Sequence, residues 1–221
     1  VITQVNNRTR RRILIDGTKL ADSVSDGIRR FVSGLLGAMR SVADQHPECC
    51  VDVHVGSRII PLAEIDSWLT LPEPAPTGAM QFLRGTLELI RLQHQVRTSQ
   101  YDVVHQTMPN TFDRFRRFQG GRLVTVHDLS HLACPQWQAA VNSESLERGL
   151  RDATQRNAWF STDTDFIRQE MISRCGLSNI AVTGAGCDRS LFHSRYSQES
   201  KDAVRRKYAM PDAPFLLSVG T

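Results

Sequence analysis

His127 and Asp128 close a short apolar run, Leu123 to His127 (LVTVH), and an imidazole beside a carboxylate can serve as acid, base or hydrogen-bond partner of a sugar hydroxyl. The competing reading is a histidine that only caps its strand on backbone groups. His131 follows four residues on, so HDLSH also mimics a metal pair. Zinc ligands at that spacing belong on one helix face, however, and a segment leaving a strand does not supply one, so a metal is not expected. Gly27 is the second candidate. It follows a loop with Ser23, Ser25 and Asp26 and opens an amphipathic stretch, where unpaired backbone N–H groups and the helix dipole favour an anion such as a diphosphate. A glycine needed only for the turn is the alternative there. GxGxxG, a Walker lysine and GxSxG are all missing, which disfavours NAD binding, P-loop nucleotide hydrolysis and serine hydrolysis. Cys49, Cys50, Cys134, Cys175 and Cys187 form neither a CxxC pair nor a disulfide framework, and a reducing compartment is the simplest inference.

These residues need elements to hold them. β-branched runs alternate with amphipathic stretches, the pattern of parallel strands joined by crossover helices. Strands are expected over Arg12 to Asp16, Val51 to Val55, Asp102 to His105, Leu123 to His127, Ala158 to Ser161, Asn179 to Thr183 and Pro214 to Val219. Helical spacing recurs after Gly27 (Ile28, Phe31, Val32, Leu35, Leu36, Met39), over Met80 to Val96 (Leu83, Leu87, Ile90), near Glu144 to Asn157, from an Asp163 cap to Gly176, and over Ser200 to Tyr208. Pro61, Pro72, Pro74 and Pro76 mark a loop that cannot lie inside a sheet. The expected fold is α/β, a doubly wound, mostly parallel sheet that binds ligands at the carboxyl ends of its strands. There the candidates gather: Gly17, Gly27, His105 to Asn110, His127 to His131 and Thr162 to Thr164.

With 221 residues, 40% hydrophobic and 23% charged, the chain has the composition of a globular protein, and no apolar run approaches the roughly 20 residues of a membrane span. The net charge of +4 is concentrated in two arginine clusters, Arg8 to Arg12 and Arg114 to Arg117, which suggest an anionic partner unless they are simply solvated. Nucleic acid is disfavoured, since no stacking platform is interleaved with the arginines; Phe112, Phe115 and Phe118 suit one buried face of a short helix. A start at Val1 and a stop at Thr221, just after an apolar run, lead us to expect a piece of a longer protein.

Six pieces in order, RILIDGTKLADSVSDGIRRFV, YDVVHQT, LVTVHDLSHLACPQW, AWFSTDTDFIRQEMI, NIAVTGAGCDRSLF and RRKYAMPDAPFLLSVGT, resemble the amino-terminal half of family-4 (group 1) glycosyltransferases of GT-B fold. The resemblance runs from about Arg12 to Thr221. It implies a basic tail over 1–11, a Rossmann-like acceptor-side domain over 12–195, and a linker helix with the first strand of a donor-binding domain over 196–221. Gly27, Ile28, Arg30 and Phe31 match the family's Gly-Ile-x-Arg-Tyr/Phe helix start, which faces the donor diphosphate; His127 and Asp128 match its His-Asp pair, with the histidine against the donor sugar. The family's Asn-Gly-Val-Asp link is replaced by Gly184-Ala185-Gly186-Cys187-Asp188, without the asparagine. The resemblance thus implies His127 and Asp128 as catalytic residues and Gly27, Arg30 and Thr162 as substrate contacts. For the longer parent it further implies a metal-free, retaining transfer of a hexose from a nucleotide-sugar to a glycan or lipid-linked acceptor, with no other cofactor, in the cytoplasm or at the inner face of a membrane; the nucleotide-sugar is bound through the second domain, and these 221 residues are expected to be inactive alone. HDLSH followed by Pro135-Gln136-Trp137 looks closest to the mannosyl- and rhamnosyltransferases of polysaccharide assembly. The run Phe215 to Val219 is expected to pair with a second copy, giving a dimer, or to lie disordered. The alternative to an enzyme is a binding module whose Arg114, Arg116 and Arg117 dock on anionic lipid or a partner chain.

Overall fold

Arg11–Asp16 (β1) is an inner strand of the sheet, and its adjacent residues Leu14 and Ile15 are both fully buried. Neighbouring residues of a strand point to opposite faces, so both faces must be covered. In the computed structural model, which describes residues 10–22, 26–56, 58–69, 89–96, 101–187, 189, 192–211 and 213–216, this is what is found. Ile15 joins a core with Val32 and Leu36, whereas Leu14 joins a separate core with Leu92, Val96, Val104 and Phe115.

Seven strands form one sheet in the order β3-β2-β1-β4-β5-β6-β7. Cys49–Val55 (β2), Val103–Gln106 (β4), Gly121–Val126 (β5), Trp159–Thr162 (β6) and Ile180–Val182 (β7) run parallel to β1. Arg58–Pro61 (β3) pairs antiparallel with β2. The fold is a doubly wound α/β sheet, as the alternating pattern requires, but two strands differ from expectation. Pro61 ends the edge strand β3 rather than lying in a loop, a position where a missing N–H costs the sheet nothing. Residues 214–216 of the expected final strand are not in a strand, and the rest of that run lies outside the described residues.

Chain order reverses between β1 and β4, which makes their carboxyl ends the switch point of the sheet. Gly27–Val42 (α1) follows β1; the Asp26 carboxylate caps it by accepting from the Arg29 N–H at 2.7 Å, and Val32, Leu36, Ile28, Phe31 and Met39 pack into the core around Ile15. A one-turn helix, Asp66–Leu69 (α2), lies after β3, and residues 89–96 (α3) carry Leu92 and Val96. After β4 comes a 3-10 helix, Pro109–Phe115; of the expected face, Phe115 and Phe118 are buried and Phe112 is half-buried. β5 is followed by Ser130–Ala133 (α4) and Ala140–Gln155 (α5), and β6 by Asp165–Cys175 (α6), ended by Gly176 at φ 66°. The cap of α6 is Thr164, whose hydroxyl accepts from the Ile167 N–H at 3.3 Å, and not Asp163.

Residues up to Ala185 form one compact unit and those from Gly186 a second, small one. The second contains Gln198–Lys207 (α7), capped by Ser197, and α7 has no buried residue. Expectations on Arg8, Ser23, Ser25, Pro72, Pro74, Pro76, Leu83, Leu87, Asp188 and 217–221 lie outside the described residues.

Candidate site at the carboxyl edge of the sheet

His127 is the first residue beyond β5, and in parallel register Val126 faces Thr162 on β6. The next residues on the two strands, His127 and Asp163, therefore come side by side. Their Nδ1 and Oδ2 atoms are 2.9 Å apart, and both side chains are about four-fifths buried, at 19% and 21% exposure. A carboxylate only accepts, so the pair is joined by the Nδ1–H of the ring, which leaves Nε2 of a neutral imidazole as an acceptor. That Nε2, the second Asp163 oxygen Oδ1, and Oγ1 of the fully buried Thr162 are all without a partner among the described residues. Three unsatisfied polar atoms on two adjacent strand ends are costly unless a ligand or water meets them.

Asp128 does not orient His127. Its Oδ1 accepts from the Ser130 N–H at 2.9 Å and the Ser130 hydroxyl at 2.6 Å, and Gln138 Nε2 donates to that same hydroxyl at 2.6 Å. Asp128 thus holds the turn into α4. His131 on α4 is buried with both ring nitrogens unpartnered among the described residues, and burial keeps its basicity below normal. No group of three His, Cys, Asp or Glu side chains is arranged for a metal ion among the described residues.

The start of α1 belongs to the same region, because the Phe31 ring meets the His127 ring edge-on at 4.5 Å between centroids. Gly27, one turn before Phe31 at the open end of the helix, and Arg30, its chain neighbour, are exposed. A Cβ on Gly27 would meet nothing within 4 Å, and its φ is not in the left-handed region, so neither turn geometry nor packing requires a glycine there. Arg29, which the sequence pattern did not single out, is buried and donates to the Leu20 carbonyl at 2.6 Å and the Lys19 carbonyl at 3.2 Å. It ties the loop after β1 to α1.

A buried polar network lines the switch point. Asp16, at the end of β1, accepts from the Thr18 hydroxyl, and its carboxylate is 3.9 Å from Nδ1 of His54 on β2. Burial alone would raise the Asp16 pKa, but His54, Thr18 and Thr111 hold it below the usual carboxylate value. Thr107, just past β4, donates to the Asp16 carbonyl at 2.9 Å and clamps β1 to β4. Oγ1 of Thr125 on β5 is 2.8 Å from both His105 Nε2 and Ser161 Oγ. Burial lowers the His105 pKa to about 4; the neighbouring His127 adds to this and Asp16 opposes it. Hydroxyls thus link β4, β5 and β6 beneath the His127–Asp163 pair.

Of the expected residues, His127 and Thr162 meet at adjacent strand ends, Phe31 brings the Gly27–Arg30 helix start beside them, and Asp128 is committed to its own turn. Asp163 was expected as a cap, yet it supplies the carboxylate. Neither a protein-family model nor a curated protein matches the chain. No helix among the described residues is long and apolar enough to cross a membrane.

Proposed function

We propose that this carboxyl-edge cluster belongs to the sugar-transfer site of a retaining glycosyltransferase, which moves a hexose from a nucleotide-sugar to a glycan or lipid-linked acceptor in polysaccharide assembly. The reading starts from the resemblance to the amino-terminal half of family-4 glycosyltransferases. The observation that carries it is the packing of Phe31 on His127. Two motifs some hundred residues apart in the chain, a helix start suited to a diphosphate and a histidine suited to a sugar hydroxyl, lie against each other as such a donor needs.

In this reading His127 Nε2 hydrogen-bonds a donor hydroxyl, and Asp163 fixes the tautomer and the ring plane. Asp128 acts only by holding the following turn. The first backbone N–H groups of α1, with Arg30 at its exposed start, receive the diphosphate and stabilise its charge as the glycosidic bond breaks. Thr162 Oγ1, unpartnered among the described residues, is the remaining polar contact at the floor. The chemistry asks of the protein mainly alignment and charge stabilisation, which fixed groups on rigid strand ends supply. Mannose and rhamnose are the proposed sugars, the inner face of a membrane the proposed location, and neither metal nor further cofactor is assigned a role.

The test is transfer from a panel of nucleotide-hexoses to lipid-linked and oligosaccharide acceptors, using the protein as its gene encodes it. His127→Ala should lower turnover about 100-fold or more. Gly27→Val should weaken donor use while leaving folding intact, since its side chain enters open space. Unchanged turnover in His127→Ala, or no turnover of any nucleotide-hexose, would exclude the reading.

A further inference from the structure

β5 and β6 begin at Gly121 and Trp159, so residues 116–119 and Arg156, just before those strands, lie at the amino edge of the sheet, opposite His127 and Asp163. That edge holds an open cleft of about 410 Å³ lined by Arg116, Arg117, Gln119 and Arg156. No carboxylate lines it among the described residues. We propose that this cleft is a binding site for a phosphoryl group, carried by a soluble phosphate compound or by a lipid headgroup, and separate from the proposed sugar-transfer site.

Arg116 and Arg117 are exposed and have no ion pair among the described residues. Arg156 is positioned from behind: its Nε donates to Asp152 at 2.9 Å, and its guanidinium lies 5.9 Å from the Phe112 ring centroid. One ion pair uses one of the five guanidinium N–H donors, so the fork retains donors for a second oxyanion. Asp152 offsets one positive charge, and the interior adds another. Arg122, buried behind the same turn, donates to Gln106 and to the carbonyls of Phe115 and Phe118, all neutral acceptors. Burial, then repulsion from Arg156, lowers its pKa to about 10, with Asp152 opposing, so it remains a cation at neutral pH.

Several guanidinium forks around one cleft match the tetrahedral oxygens of phosphate by bidentate pairing, as lysines would not. The volume exceeds that of a bare ion and falls within the range of small-molecule sites, so a diphosphate or a phosphomonoester fits better than phosphate alone. Gln119 adds an amide to the lining that could bond an ester oxygen or sugar hydroxyl.

The experiment titrates the 221-residue chain with inorganic pyrophosphate by calorimetry, and in parallel cosediments it with phosphatidylcholine vesicles with and without phosphatidic acid. The double variant Arg116→Ala/Arg117→Ala should raise the Kd for pyrophosphate about tenfold or more, with an unchanged unfolding temperature because both side chains are exposed. Arg156→Lys, which keeps the charge but loses the fork, should also weaken binding. Pyrophosphate binding with indifference to the vesicles assigns a soluble ligand. Sedimentation with phosphatidic acid that the double substitution abolishes assigns a headgroup; either result supports the site. Failure to bind pyrophosphate and vesicles alike, or equal binding by the double variant, overturns it. Because the cleft and His127 lie at opposite edges of the sheet, His127→Ala should leave this binding unchanged, so the two readings fail separately.

Discussion

The His127–Asp163 contact sets a tautomer, and the tautomer sets what the ring can do. With the proton on Nδ1, held by the Asp163 carboxylate at 2.9 Å, the unpartnered Nε2 accepts from a hydroxyl. Asp163→Asn keeps the shape but can present an amide N–H to Nδ1, which drives the ring proton to Nε2 and turns an acceptor into a donor. Nitrogen-15 shifts of the His127 ring should report Nδ1–H in the parent and Nε2–H in the variant; the same tautomer in both would remove Asp163 as the orienting group. His105 contributes a pH dependence to stability. Its pKa falls from the ordinary 6.5 to about 4 because burial disfavours the charged ring. Below pH 6.5 the unfolded chain takes up a proton that the native protein refuses until about pH 4, so stability is complete above pH 6.5 and is lost as pH falls through that window. The loss is at most about 3 kcal/mol at 1.36 kcal/mol for each pH unit. Urea unfolding between pH 4 and 7 should show a shallower slope in His105→Gln. An identical slope would mean that His105 is as easily protonated in the native state as in the unfolded chain.

Among the elements, α5 approaches the 3-10 helix Pro109–Phe115 most tightly at Gly149. A Cβ there would stand 2.0 Å from the Pro109 carbonyl oxygen and 2.5 Å from its carbon, which are backbone atoms that no rotamer change can withdraw. Two effects oppose each other in Gly149→Ala. Alanine gains up to about 1 kcal/mol of helix propensity. Overpacking against a fixed backbone costs about 1–3 kcal/mol, and at this separation the upper end applies, so the variant should be less stable in urea unfolding. A stabilised variant would show that α5 can move off Pro109 freely. Displacing α5 would also shift Arg156 just beyond its end, so the same substitution should weaken pyrophosphate binding.

For the molecule as a whole, protection should follow strand order. β1, β4 and β5 lie inside the sheet, with Leu14, Ile15, Val104 and Val124 at 0% exposure, whereas α7 in the second unit buries no residue. Amide hydrogen exchange should therefore be slowest in the inner strands, faster in the edge strands β3 and β7, and fastest in α7. Comparable protection of α7 and β1 would show that the second unit is stabilised by contacts beyond those of its own helix. Much of this architecture was legible from periodicity, because parallel strands buried on both faces are largely apolar: Arg12 to Asp16 and Val51 to Val55 reappear whole, and Leu123 to His127 up to Val126, as do α1 with its Asp26 cap and the Gly176 stop of α6. β3 was missed because a four-residue edge strand needs only one partner and tolerates a proline, so it leaves little pattern. Local sequence also determined that His127 would leave the carboxyl end of a strand, since the length of an apolar run fixes where it ends. It could not determine which carboxylate His127 meets. Asp128 is its chain neighbour, but successive residues diverge as the chain leaves a strand, and Asp128 closes on Ser130 instead. Asp163, 36 residues away, is brought into contact by the register of β5 on β6, and that register is set by packing on both faces of the sheet, which only the tertiary structure decides.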